Sequence, residues 1–156
     1  MRRLLLAVAA GALSFAAQAQ VPQYGANINL EQARKAMVSA EAEARKNNWP
    51  VAIAIVDTAG NLVLFQRIDN TQTASGQVAI DKSVSAAIYR RPTKVFQDLL
   101  AKGAEGWRLP SLRGASMVDG GLPVVIDGKI VGGIGVSGVA GNQDAEVAIA
   151  GANAVK

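Results

Sequence analysis

The stretch 120–146 constrains the fold more than any other part of this 156-residue chain. It reads GGLPVVIDGKIVGGIGVSGVAGNQDAE. Asp127-Gly128 is a two-residue turn signal, because a type I′ turn needs positive φ at both central positions. The segments 123–126 and 129–136 are therefore predicted to form an antiparallel hairpin. A last helix is expected from Asp144 to about residue 155, because the carboxylates of Asp144 and Glu146 favour the first turn of a helix.

The outgoing strand of this hairpin carries glycines at 132, 133 and 135. Glycine inside a strand gives no side chain to pack, so it marks a place where something approaches the backbone closely. One interpretation is a ligand, with Gly138 presenting further N–H groups to an anion. The other is a helix that lies close to the sheet. A dinucleotide site is not indicated, because Gly133 and Gly135 lie inside the predicted strand and not in the turn after it.

The remaining segments predict three more helices and a second hairpin around these elements. Asn29 and Gln32 are spaced as a capping box at the start of a helix that runs to about residue 46. The segments 51–56 and 62–68 predict antiparallel strands. Ser75 and Thr93 are candidate caps of the next two helices, and the first of these helices has a predicted buried stripe of Ile80, Val84, Ala87 and Ile88. We therefore expect an α+β domain, an antiparallel sheet of about five strands with helices packed on its faces.

The first residues predict export. Residues 1–19 have a basic start, an apolar run and an A-x-A site, which is the pattern of a cleaved signal peptide. The alternative of a transmembrane anchor is disfavoured because the apolar run is too short for a span of about 20 residues. We expect cleavage near Ala19/Gln20, a periplasmic or secreted protein with no stable membrane anchor, a tail over 20–28 and a single domain over 29–156.

Composition excludes several function classes. The chain has no histidine and no cysteine. A Ser-His-Asp triad, a Cys-His dyad and a histidine-based zinc site are therefore excluded. Loss of Arg2 and Arg3 with the signal peptide lowers the net charge from +4 to +2. Because the chain also has no basic cluster interleaved with aromatics, nucleic acid is not an expected partner.

One helical face carries the candidate ligand-binding side chains. Lys82, Ser85 and Tyr89 repeat at three- and four-residue steps, and Arg90 and Arg91 follow at the helix end. These side chains form either a pocket wall, in which arginine pairs with ligand carboxylates, or a solvated set of charges at a helix C-terminus. Trp107, in a later loop, either covers a flat ligand or buries itself against its own domain or a neighbouring subunit.

Several motifs together resemble the GlcG/HbpS family, the haem-degrading domain that is also similar to the C-terminal domain of PduO-type proteins. They are GG-x-P, the DG turn before IGVSG, the D-x-E-x-A helix, VAIAIVDTAGNLVLFQR, and K-S-x-x-A-A-x-Y-x-R-P-T. The resemblance covers 28–155 and implies the α+β fold, a homo-oligomer and a small-molecule ligand. It places the ligand against Lys82, Ser85, Tyr89, Arg90, Arg91, Thr93, Gly121, Pro123, Gly135, Ser137 and Gly138.

The resemblance implies haem, or a related tetrapyrrole, as that ligand. Lys82, Arg90 and Arg91 are the candidates for pairing with the propionates, and Tyr89 is the candidate iron ligand, with Tyr24 as a second choice. The alternatives are an enzyme or accessory protein acting on a carboxylate or aromatic metabolite, a corrinoid-binding module, and a structural oligomer without a ligand. Without histidine or cysteine we expect a binding protein, contributing to haem sequestration or degradation, more than an enzyme.

Overall fold

The computed structural model describes residues 21–155, an α+β domain built on a four-stranded antiparallel sheet of order β2-β1-β4-β3. The predicted signal peptide lies outside the described residues. The elements in chain order are α1 (Leu30–Lys46), β1 (Ala52–Asp57), β2 (Leu62–Arg67), α2 (Ser75–Tyr89), α3 (Thr93–Ala101), β3 (Gly121–Ile126), β4 (Lys129–Ser137) and α4 (Gly141–Asn153).

Both hairpins form as predicted. Asp127 and Gly128 have φ of 50° and 72°, as a type I′ turn requires. The number of strands differs from the expected five, because the loop before β3 forms two 3-10 turns, Ala104–Gly106 and Leu109–Ser111, and no further strand.

The segment that we expected to be a tail is held against the sheet. The Gly25 N–H donates to the carbonyl of Ile130 at 2.8 Å, and the Ile28 N–H donates to the carbonyl of Val131 at 2.8 Å. The Ile28 side chain is 4% exposed and joins the hydrophobic core. Residues 23–28 thus continue the sheet next to β4, beyond the end of β1.

Helices cover the two faces of the sheet unequally. On one face α1 and α4 pack together and enclose the main core, in which Met37, Ile53, Ile134 and Val147 are buried. On the other face α2 lies across β1, β4 and β3. Burial of apolar side chains on the first face supplies most of the driving force for folding.

Helix boundaries follow the sequence signals in part. At the start of α1, Asn29 Oδ1 accepts from the Gln32 N–H at 2.9 Å, and Gln32 Oε1 accepts from the Asn29 N–H at 3.0 Å, which confirms the capping box. The predictions that Ser75 and Thr93 are caps were wrong by one residue, since each is the first residue of its helix. α4 begins at Gly141, three residues before the predicted start at Asp144.

The buried face of α2 agrees with the predicted stripe at Ala87, which is fully buried, and differs from it elsewhere. Ala79, Ser83 and Ala86 are fully buried, whereas Ile80 and Val84 are only half-buried. The prediction gave priority to large apolar residues. The strand beneath this helix carries glycines, so it is the small face of α2 that fits against it.

Candidate functional site

Gly133 and Gly135 of β4 are covered by α2, whereas Gly132 packs against β1 and Ile28. A Cβ atom on Gly135 would lie 2.1 Å from the carbonyl oxygen of Ala79, and one on Gly133 would lie 2.4 Å from that of Ser83. Real Cβ atoms do not approach oxygen so closely, so only glycine allows the helix to lie at this distance. Of the two interpretations of these glycines, close helix packing is therefore the one that the structure shows.

Four further residues from the predicted site, Thr93, Gly121, Ser137 and Gly138, are also engaged by the protein itself. A Cβ atom on Gly121 would lie 2.4 Å from the carbonyl oxygen of Lys82, and one on Gly138 would lie 2.2 Å from that of Pro50. The Gly121 N–H donates to Thr93 Oγ1 at 2.9 Å. Ser137 is 6% exposed, with its hydroxyl 3.4 Å from the hydroxyl of Ser75. These backbone segments are packed against neighbouring elements.

Lys82 forms a buried ion pair with Asp144. Its Nζ lies 2.8 Å from Asp144 Oδ2 and also donates to the carbonyl of Val136 at 2.8 Å. The two side chains are 1% and 3% exposed. Asp144 Oδ1 accepts from the Val139 N–H at 3.2 Å. The pair thus joins α2, the end of β4 and the first turn of α4.

Burial raises the pKa of the Asp144 carboxyl, while the hydrogen bond and charge of Lys82 act in the opposite direction. Taking one charge away would leave the other buried without a partner, which is costly in a low-dielectric interior. The expectation that Lys82 is a free cation for ligand propionates is therefore wrong. The lysine is neither a pocket wall nor a solvated charge, but one half of an internal ion pair.

Ser85 and Tyr89 hold the loop that precedes β3. The Ser116 N–H donates to Ser85 Oγ at 2.9 Å, and the Tyr89 hydroxyl donates to the carbonyl of Arg113 at 2.8 Å. The Tyr89 ring also meets the ring of Phe96 edge-on, with centroids 5.2 Å apart. Both polar groups thus have partners in the protein, on the side of α2 that faces this loop.

Arg90 and Arg91 leave the end of α2 in different directions. Arg90 ends the helix in the left-handed conformation, with φ of 53°, and its guanidinium carbon lies 5.5 Å from the centre of the Tyr24 ring. The Tyr24 hydroxyl donates to the carbonyl of Ala87 at 3.0 Å, which fixes the ring. The Arg91 guanidinium instead lies over Phe96 at 5.7 Å.

An apolar cavity of about 380 Å³ lies beside the outer edge strand β3, next to Arg90. Apart from Arg90, the lining residues carry no charge; they are Pro22, Pro92, Leu122, Pro123, Val125, Ile130, Ile149, Ala152 and Asn153. We call these ten residues the β3-edge cavity. Of the predicted site residues the structure brings Arg90 and Pro123 together here, and it places the others elsewhere.

Sequence reasoning missed most of the walls of this cavity. Val125 and Ile149 are 37% and 47% exposed although both are large and apolar. Ile149 stands on the open face of α4, where a polar side chain is the norm. An apolar residue at position 149 was therefore the one available sign of the cavity. It could be recognised only by knowing which face of α4 packs against the core.

Metal-binding chemistry is sparse in the part of the chain that the structure describes. No group of three acidic, histidine or cysteine side chains converges in 21–155. The β3-edge cavity is lined by no tyrosine or methionine.

Trp107 is 73% exposed on its loop, so it is not buried against its own domain. None of the described helices is long and apolar enough to cross a membrane.

The chain is similar to proteins of known sequence and structure. Residues 28–153 match the family model for haem degrading protein HbpS-like. Protein GlcG of Escherichia coli K12 is 38% identical over 110 residues, which cover 70% of this chain and 81% of GlcG.

Solved structures agree with this relationship. The structure of HbpS from Streptomyces reticuli, in a doubly substituted form, has a TM-score of 0.77 and 31% identity, covering 94% of this chain and 99% of that one. A PduOC:heme complex has a TM-score of 0.77 and 26% identity, covering 83% and 96%. The α+β fold and the sequence matches lead to one conclusion: this chain belongs to the HbpS-like family.

Proposed function

We propose that this protein binds haem or a related tetrapyrrole in the β3-edge cavity. The observation that carries the proposal is an apolar cavity with a single charged lining residue, Arg90, held at its wall. A tetrapyrrole such as haem needs an apolar slot for its ring and a cation for its propionates. The relationship to a protein solved as a PduOC:heme complex supports this choice of ligand.

Arg90 is the propionate partner in this proposal. Its planar guanidinium can pair with a carboxylate through two parallel hydrogen bonds. Its position is set by the helix end and by the Tyr24 ring, so little side-chain freedom is lost on binding. Lys82 has no such role because it is buried and paired with Asp144.

The cavity is too small to enclose a whole tetrapyrrole. Its volume of about 380 Å³ lies near the lower end of the usual range for small-molecule sites. We infer that one edge of the macrocycle enters the cavity and that a second copy of the chain covers the rest. The exposed apolar side chains of Val125 and Ile149 at the cavity are suited to such a homo-oligomer contact.

Iron ligation contributes little in this proposal. Tyr89, the candidate iron ligand, donates its hydroxyl proton to the carbonyl of Arg113 and does not line the cavity. Recognition then rests on the ring and the propionates, so iron-free protoporphyrin IX should bind with an affinity close to that of hemin.

We propose that the protein acts outside the cytoplasm, after cleavage near Ala19/Gln20, as a carrier or scavenger of this ligand.

A hemin titration of the purified chain from Gln20 onward tests the function. Followed by absorption, it should give a saturable, shifted band. Arg90→Ala should weaken binding at least about tenfold, because it removes the charge-assisted hydrogen bonds to the propionate. Arg91→Ala is the matched control and should bind like the wild type. Absence of a saturable shift, together with stabilisation by a small carboxylate metabolite, would favour the alternative of a metabolite-binding protein, which the same arginine also suits.

A further inference from the structure

A second cavity, of about 310 Å³, lies at the opposite edge of the sheet from the β3-edge cavity. It is formed where α1 ends and where the chain leaves β2. Its lining residues are Arg45, Asn48, Trp49, Pro50, Ile68, Asp69 and Asn70. We call it the Trp49 cavity. It shares no residue with the proposed tetrapyrrole site.

The floor of the Trp49 cavity is apolar and fixed. Trp49, Pro50 and Ile68 are all half-buried. Trp49 and Ile68 pack against the main core, and the Trp49 N–H donates to the carbonyl of Ala44 at 2.9 Å. Such a floor offers an aromatic and aliphatic surface to the apolar side of a small ligand.

The rim is polar and retains unused hydrogen-bonding capacity. Asn48, Asp69 and Asn70 are exposed, and within residues 21–155 their side chains make no hydrogen bond or ion pair. Asn48 and Asn70 have φ of 56° and 65°, which places each amide at a fixed bend of the chain. Two amides and one carboxylate therefore face the same opening.

The charges of the rim select against anionic ligands. The Arg45 guanidinium is exposed and pairs with Glu41, with Nη2 and Oε1 2.6 Å apart, so the Glu41 carboxylate offsets its charge. Asp69 is then the remaining charge, and a carboxylate repels an anion. An ammonium ion would suit Asp69 and the amide oxygens, but it carries donors only, so it would use only the accepting half of each amide and leave both NH₂ groups to water. Hydroxyl groups both donate and accept, and they match amides and carboxylate together.

We propose that the Trp49 cavity binds a small neutral polyhydroxylated ligand, a mono- or disaccharide, with one apolar face on Trp49. The hydroxyl groups of the ligand donate to Asp69 and exchange hydrogen bonds with Asn48 and Asn70. This site is independent of tetrapyrrole binding, because its residues lie at the other edge of the sheet.

Tryptophan fluorescence isolates this site when the second tryptophan is removed. Trp107→Phe changes an exposed loop residue and leaves Trp49 as the one tryptophan of 21–155. Titration of this protein with D-glucose, D-galactose, N-acetyl-D-glucosamine and maltose should give a saturable change in Trp49 emission for at least one sugar, at millimolar concentration. Asp69→Ala and Asn70→Ala should each weaken that binding about tenfold.

The controls decide between the proposal and its rivals. Gln23→Ala removes an exposed amide next to Ile130, a lining residue of the β3-edge cavity at the other edge of the sheet, and should leave sugar binding unchanged. Choline chloride tests for a cation site: saturable binding of choline without sugar binding would overturn the proposal. No emission change with any of the four sugars, in a protein whose circular dichroism is that of the wild type, would overturn it as well.

Discussion

The contact between α2 and β4 and the cavity at the edge of β3 use their residues in opposite ways. The first contains the residues that are most conspicuous in the sequence. Gly133 and Gly135 of β4 pack against α2, and Lys82 forms an internal ion pair with Asp144. The second is built mainly from prolines and aliphatic side chains, with Arg90 as its charged group; Pro92 and Pro123 belong to motifs, but Pro22, Val125 and Ile149 do not.

The difference teaches that a conspicuous motif in this family can be a solution to a packing problem. Glycines at 133 and 135 let α2 lie on the sheet, and Lys82 with Asp144 ties three elements together. This side of β4 is packed against α2 at Gly133 and Gly135. The edge strand, which is left uncovered, is where a ligand can approach.

Gly135→Ala tests the packing region with the largest expected effect. The added Cβ would lie 2.1 Å from the Ala79 carbonyl and 2.4 Å from the Ser83 nitrogen, both backbone atoms that cannot yield without moving the helix. We expect a loss of about 3 kcal/mol or more of unfolding free energy in chemical denaturation.

Gly76→Ala is the matched control for that change. Its Cβ would meet only the tip of the Phe65 ring, at 3.5 Å, in the first turn of the same helix. The variant should be as stable as the wild type or slightly more stable, since alanine favours a helix. If Gly135→Ala and Gly76→Ala had the same unfolding free energy, the claim that α2 packs directly on Gly135 would be wrong.

Lys82→Met has the second largest expected effect on stability, because it leaves the Asp144 carboxylate buried without its partner. We expect a loss of about 3 kcal/mol at neutral pH. Lys94→Met removes one member of an exposed pair with Asp98 and should hardly change stability.

The loss in Lys82→Met should also depend on pH. Burial raises the pKa of the Asp144 carboxyl above its ordinary value, and removing Lys82 raises that pKa further. A group with a raised pKa in the folded state stabilises fully below its unfolded pKa and less as pH rises through the folded pKa. Unfolding free energies measured at about pH 4 and about pH 8 should show the larger loss at the higher pH. A loss independent of pH would contradict the ion pair.

Ile149→Asp tests the edge cavity. The residue is half exposed, so the fold should tolerate the change, but a carboxylate in the apolar wall opposes both the ring and the propionates of haem. We expect a loss of about 2 kcal/mol in hemin affinity, roughly thirtyfold, in the absorption titration. Val38→Asp, on the exposed face of α1, is the control and should bind hemin normally.

Ser85→Ala has the smallest expected effect. The Ser85 hydroxyl accepts one hydrogen bond from the Ser116 N–H, so its loss should cost about 1 kcal/mol of stability. Hemin affinity should not change, since Ser85 does not line the β3-edge cavity. A weaker hemin affinity with unchanged stability would return Ser85 to the ligand site.

Much of the fold was accessible from the sequence because its signals are local. The Asp127-Gly128 turn and the Asn29 capping box depend on neighbouring residues, and both were predicted correctly. The site was not accessible in the same way. The burial of Lys82 depends on Asp144, 62 positions away, and the walls of the cavity come from segments as distant as Pro22 and Ile149. Side-chain type alone does not say whether a cation is solvated, bound to a ligand or paired inside.

Amide chemical-shift mapping with gallium protoporphyrin IX, a diamagnetic analogue of haem, tests most directly where the ligand binds. We predict the largest shifts at Arg90, Leu122, Val125, Ile130 and Ile149, around the β3-edge cavity. The amides of Lys82, Gly133 and Gly135 should move little, because α2 covers that strand. Large shifts confined to Lys82 and the glycines, with none at the cavity walls, would contradict the account.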